Sequence, residues 1–72
     1  MKQAVLDGLA DILEASSPLT PDTKLAEAGA WDSLAVVCTI ALLDDKCGAS
    51  VDGKALASCE TAGDVLRLAG LE

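Results

Sequence analysis

Asp32-Ser33-Leu34-Ala35-Val36-Val37-Cys38-Thr39-Ile40-Ala41-Leu42-Leu43-Asp44-Asp45-Lys46-Cys47-Gly48 is the stretch on which the fold turns. Its first residue is a strong N-cap, because an aspartate carboxylate accepts the free amides of a first helical turn. Its last, Gly48, suits the C′ position, where a chain leaves a helix in the left-handed conformation. Between them, Ser33 to Cys47 is predicted to be one helix. At about 100° per residue, Val36, Ile40, Leu43 and Cys47 fall on one stripe. Leu34, Val37, Cys38 and Ala41 fall on another, nearly opposite. One apolar stripe serves a core. The second requires either burial beneath a neighbouring segment or a partner outside the chain.

Upstream, Val5, Leu9, Ile12 and Leu13 recur at i, i+4, i+7 and i+8, with Asp7, Asp11 and Glu14 turned elsewhere. This spacing predicts an amphipathic helix over residues 2–15, ended by Ser16-Ser17-Pro18. Ser16 to Trp31 reads as a long connection, interrupted by Pro18, Pro21 and Gly29. A short turn over Lys24 to Ala28 is expected within it, and Leu19, Leu25, Ala28 and Trp31 are candidates to pin it down. Trp31, the only aromatic residue, is expected to plug the core and anchor the loop. Downstream, a short helix near Lys54 to Ser58 is anchored by Leu56. Thr61-Ala62-Gly63-Asp64 then opens a last helix with a capping box, Thr61 at N-cap and Asp64 at N3; that helix carries Val65, Leu66, Leu68 and Ala69 and ends at Gly70. No segment alternates as a strand does. The expectation is an all-α bundle of three main helices and one short helix, forming a single domain over residues 1–72.

Composition narrows the function. The chain has 72 residues, no His, and 12 acidic against 5 basic residues, for a net charge of −7. Without His there is no Ser-His-Asp or Cys-His nucleophile pair, and no Gly-x-Ser-x-Gly elbow supports a serine hydrolase. The chain is not expected to be an enzyme. Cys38, Cys47 and Cys59 include no Cys-x-x-Cys pair, so no metal site is expected. They are read instead as reduced, small buried hydrophobes. The acidity argues against nucleic acid, whose backbone selects clustered Lys and Arg. The longest uncharged run, Ser33 to Leu43, is too short to cross a bilayer, and Asp7 interrupts any signal-peptide apolar region. A cytoplasmic, monomeric protein away from membranes is the expectation, and the short ends favour a free-standing one.

Ser33 is the residue on which function turns. It occupies the first helical position, where a polar side chain points outward and where unpaired amides and the macrodipole favour an anionic group. A phosphoester there would be well placed, with an apolar helix face directly below. No base in the chain can activate the hydroxyl, so any reaction at Ser33 must be driven by another protein.

Gly29-Ala30-Trp31-Asp32-Ser33-Leu34, after a helix and a long loop, resembles the attachment site of the acyl carrier proteins. The similarity extends over essentially the whole chain, including its length, its acidity and the Thr-x-x-Asp start of the last helix. The resemblance implies that Ser33 carries a covalent 4′-phosphopantetheine arm, whose thiol holds acyl or aminoacyl groups as thioesters. It implies that Asp32 helps a phosphopantetheinyl transferase hold magnesium, with Leu34 also at the attachment site. Leu34, Val37 and Ala41 would form the stripe facing partner enzymes that load and process the acyl group, and Asp44 and Asp45 would be read by basic partners.

The chain also departs from that pattern. Ala35 and Cys38 stand where fatty-acid carriers place acidic residues, and Asp32 stands where peptide-synthesis carriers usually have His. These differences favour a specialised carrier in fatty-acid, polyketide or other biosynthesis. The alternative left open is a non-enzymatic acidic helical adaptor that docks a basic partner through the Asp32-capped helix. For a carrier, a short or medium acyl chain is expected to be partly shielded between the Asp32-capped helix and the helix that follows it, near Ile40, Leu43 and Leu56.

Overall fold

A computed structural model describes all of residues 1–72 as an all-α bundle. Its helices are α1 (Lys2–Leu13), α2 (Leu25–Ala28), α3 (Ser33–Cys47), α4 (Gly53–Ala57) and α5 (Ala62–Leu68). The three longer helices are the three main ones expected, and α2 is the turn expected inside the long connection. Val5, Leu9 and Leu13 of α1, Leu43 of α3, Leu56 of α4 and Val65 and Leu66 of α5 belong to one buried cluster. Thr39 is the only buried polar side chain in α3, and its hydroxyl donates to the Ala35 carbonyl at 2.8 Å. A paired hydroxyl costs the interior little.

Helix ends follow local chemistry. Asp32 Oδ1 accepts from the Ala35 amide at 3.0 Å, and Gly48 leaves α3 at φ 63°. At α5 both halves of the capping box form: Thr61 Oγ1 accepts from the Asp64 amide at 3.2 Å, and Asp64 Oδ2 accepts from the Thr61 amide at 3.1 Å. Several boundaries shift: α5 ends at Leu68 with Ala69 as its cap, short of the expected Gly70, and α4 ends at Ala57, not Ser58. The first helix stops at Leu13 and not at residue 15, because Glu14 turns left-handed at φ 54° and the Ala15 amide folds back to the Ala10 carbonyl. The stop is thus a backbone reversal that precedes the Ser-Ser-Pro sequence. α4 begins at Gly53, one residue before the expected Lys54, with its anchor Leu56 fully buried.

The long connection is fastened at two places. Near its middle, Leu25 donates to the Glu60 carbonyl at 2.8 Å, Ala62 to the Thr23 carbonyl at 3.0 Å and Gly63 to the Pro21 carbonyl at 2.8 Å. These main-chain bonds flank an antiparallel bridge between Lys24 and Thr61. At its end, the half-buried Trp31 donates from Nε1 to the Leu56 carbonyl at 3.2 Å and packs against the core cluster. Gly29 lies between these points, and a Cβ there would press on the Leu13 carbonyl and stand 2.8 Å from Leu13 Cβ. Only glycine lets the loop pass so close to the end of α1.

Candidate functional site

α3 carries apolar side chains on two opposite stripes, and the two meet different fates. Ala35, Val36, Thr39 and Leu43 are buried, with Ile40 and Cys47 half-buried beside them. Ser33, Leu34, Val37, Cys38, Ala41, Asp44 and Asp45 are all exposed and share the other face. The long loop does not cover that face, because its backbone is held to the start of α5 and its end to α4. Leu34 is 70% and Val37 61% exposed; among large apolar side chains only the terminal Met1, at 63%, is comparable. No other segment of the chain covers this apolar stripe, which stays open to solvent from Leu34 to Ala41.

Cys38 belongs to this exposed face, against the expectation of a buried thiol. A small apolar residue on a helix is buried only if its stripe has a partner within the fold, and this stripe has none. Cys47 and Cys59 are half-buried and closer to the expected role. Burial, then the charge of nearby Asp64, pushes the Cys59 thiol pKa up, so it is a poor nucleophile.

Ser33 stands at the first position of α3, exposed, directly after the capping Asp32. Asp32 is itself exposed and caps through Oδ1, so capping does not consume its second carboxylate oxygen. A groove of about 400 Å³ opens beside Ser33, walled by Val36, Val37 and Ile40 of α3, Trp31 of the loop, and Gly53, Lys54 and Ala57 at α4. A smaller hollow of about 240 Å³ lies on the other side of Asp32, reaching Ile12, Leu34, Ala35 and Cys38. The site thus combines an accessible hydroxyl, an adjoining carboxylate and an apolar channel that leads away from them.

The sequence reading placed Ser33, Asp32, Leu34, Val37 and Ala41 together, and the helix puts them on one end and one face. Asp44 and Asp45 lie on the same face but toward its far end, about 17–18 Å from Ser33 along the axis at about 1.5 Å per residue. Leu43 and Leu56 are fully buried within the packed interior, so only Ile40 of the three residues borders open space. Sequence reasoning did not find Gly53 and Lys54 as walls of the groove. Their link to Ser33 depends on how α4 packs across α3, and no local pattern reports that.

Comparison with known proteins gives one match. The family model described as the phosphopantetheine attachment site matches residues 3–69. No curated protein and no solved structure matches.

Proposed function

The chain belongs to the phosphopantetheine attachment-site family, and from that membership we propose that Ser33 is the residue that bears the arm. A member of this family is a phosphopantetheine-carrying carrier protein, served by transferases and biosynthetic enzymes. The covalently attached 4′-phosphopantetheine supplies a thiol on which acyl groups ride as thioesters. The observation that carries the assignment is the position of Ser33: exposed, first in α3, next to a carboxylate and at the mouth of an apolar groove.

The residues around it fit the group. The unpaired amides and dipole of a 15-residue helix favour a phosphodiester at its N-terminus. Asp32 caps that N-terminus, and its carboxylate would help hold the magnesium ion that a transferase brings to neutralise the transferred phosphate. Leu34, Val37 and Ala41 present the apolar contact for transferase and loading or processing enzymes. Asp44 and Asp45 present the charge to a basic rim farther along α3. The first two turns of that face are uncharged, which supports a specialised partner set recognised near Ser33 by apolar fit. The whole chain acts as one carrier unit.

Coexpression with a broad-specificity phosphopantetheinyl transferase, followed by intact-mass measurement, tests the assignment. The expected result is a gain of one phosphopantetheinyl group in the natural protein and none in Ser33→Ala. An unchanged mass in both, or an equal gain in both, overturns it.

A further inference from the structure

The protein has five cationic side chains, and three of them are occupied. Lys2 pairs with Glu72, Lys24 with Glu27, and Arg67 with Asp64 and Glu72. Lys46 sits in the last turn of α3, where a cation complements the helix C-terminus. Lys54 has no ion-pair partner, and the helix whose last turn it occupies, α4, is only five residues long. The lysine lines the groove that opens beside Ser33. It is the only cation there, on a chain of net charge −7.

An anion at Ser33 meets opposing influences. The Asp32 carboxylate, one residue away, and the acidity of the whole protein repel it. An ammonium on the facing wall offsets that repulsion. Val36, Val37, Ile40 and Ala57 supply an apolar path onward from the lysine. Gly53, the residue before Lys54, has no side chain to block the path, and even a Cβ there would only reach ordinary contact with Ile40 Cδ1 at 3.5 Å.

We propose that Lys54 is the positioning residue for the prosthetic arm: its ammonium pairs with the phosphodiester on Ser33 and directs the arm into the α3–α4 groove. This rests on Ser33 as the attachment residue. The pair is solvent-exposed, so it sets the average direction of the arm without locking it, and salt weakens it. An arm held in this way lies over the groove between enzyme visits, and a partner that supplies its own cations can draw it out.

The test compares apo protein with holo protein obtained by coexpression. Lysine acetylation by N-hydroxysuccinimide acetate is followed peptide by peptide at low salt. A phosphodiester beside Lys54 stabilises its protonated form, so its acetylation is expected to slow about two- to fivefold in the holo protein, the range of an exposed ion pair. Lys46, at the other end of α3, keeps its rate, and the difference at Lys54 disappears near about 1 M NaCl, where screening extends to about 3 Å. As a second readout, apo-to-holo amide shift changes at Trp31, Ile40 and Ala57 are expected to shrink in Lys54→Gln and persist in Lys54→Arg. Holo protein whose Lys54 reacts at the apo rate, with the same shift changes in Lys54→Gln, overturns the role of Lys54 and leaves Ser33 as the attachment residue. Failure to gain the arm at all overturns both.

Discussion

The Trp31 indole donates its Nε1–H to the Leu56 carbonyl at 3.2 Å, joining residues 25 apart in sequence. One end of this bond lies next to Asp32 and the other in α4, so it fixes both sides of the groove beside Ser33. The Leu56 carbonyl also accepts from the Cys59 amide at 3.0 Å, so losing the indole does not leave it unpaired. Trp31→Phe is therefore expected to cost only about 0.5–1 kcal/mol, the lower part of the range for a hydrogen bond. Trp31→Ala also loses the half-buried ring and is expected to cost about 2–3 kcal/mol. Urea unfolding followed by far-ultraviolet circular dichroism checks both; equal losses in the two variants would show that the hydrogen bond, not the ring, is what matters.

Val36 and Val37 are neighbours with opposite surroundings, at 8% and 61% exposure. Val36→Asp is expected to destabilise by about 2 kcal/mol or more, since it places a charge among core side chains. Val37→Asp should change stability by no more than about 0.5 kcal/mol, as surface substitutions do. It should nonetheless slow modification of Ser33 by a transferase. Unfolding curves beside a mass-based time course of modification distinguish the two effects.

Gly29→Ala forces the loop away from the Leu13 backbone, which cannot yield as a flexible side chain would. The expected cost is about 1–3 kcal/mol, or at least about 4 °C in the melting temperature of a domain this size. Gly48→Ala has open space around its Cβ but a left-handed φ of 63°, so its cost is expected to be conformational, about 1 kcal/mol. Calorimetry ranks them.

Asp64 has its pKa lowered from the ordinary 3.8, first by the Glu60 and Thr61 amides that its carboxylate accepts from, and further by Arg67. A carboxylate with a folded-state pKa below its unfolded value contributes stability above the unfolded value, and that contribution is lost as pH falls through the folded one. The stability difference between the natural protein and Asp64→Asn is thus expected to be full at neutral pH and to shrink below about pH 4. Urea midpoints across that range check it, and a difference independent of pH would assign the effect to shape and not charge.

The three thiols are expected to separate under native conditions. Cys38 is exposed and should react with iodoacetamide first, Cys47 more slowly, and Cys59 last because its thiolate is disfavoured. Peptide mapping after timed quenching gives the order, and a Cys38 that reacts no faster than Cys59 would mean that its face is covered in solution.

What the sequence discloses here is what lies within a few residues of its cause. Asp32 and Thr61 declare their caps and Gly48 its exit, because each depends on groups one to four positions away. The Lys24–Thr61 bridge and the Trp31–Leu56 bond were not legible, since they join segments that no short pattern relates. Cys38 shows the reverse error. Residue type suggested burial, but the fold supplies no element to cover its stripe.

The bonds that stitch Pro21, Thr23 and Leu25 to Glu60, Ala62 and Gly63 run entirely between main-chain groups. The path of the loop therefore rests on few of its side chains, chiefly Leu19, Thr23, Leu25, Trp31 and the bare backbone of Gly29. Ser16, Ser17, Asp22, Ala26 and Glu27 are exposed on it and can be exchanged without threatening the fold. A lineage could rewrite that surface step by step, acquiring and discarding enzyme clients, while the serine and its groove stayed where they are.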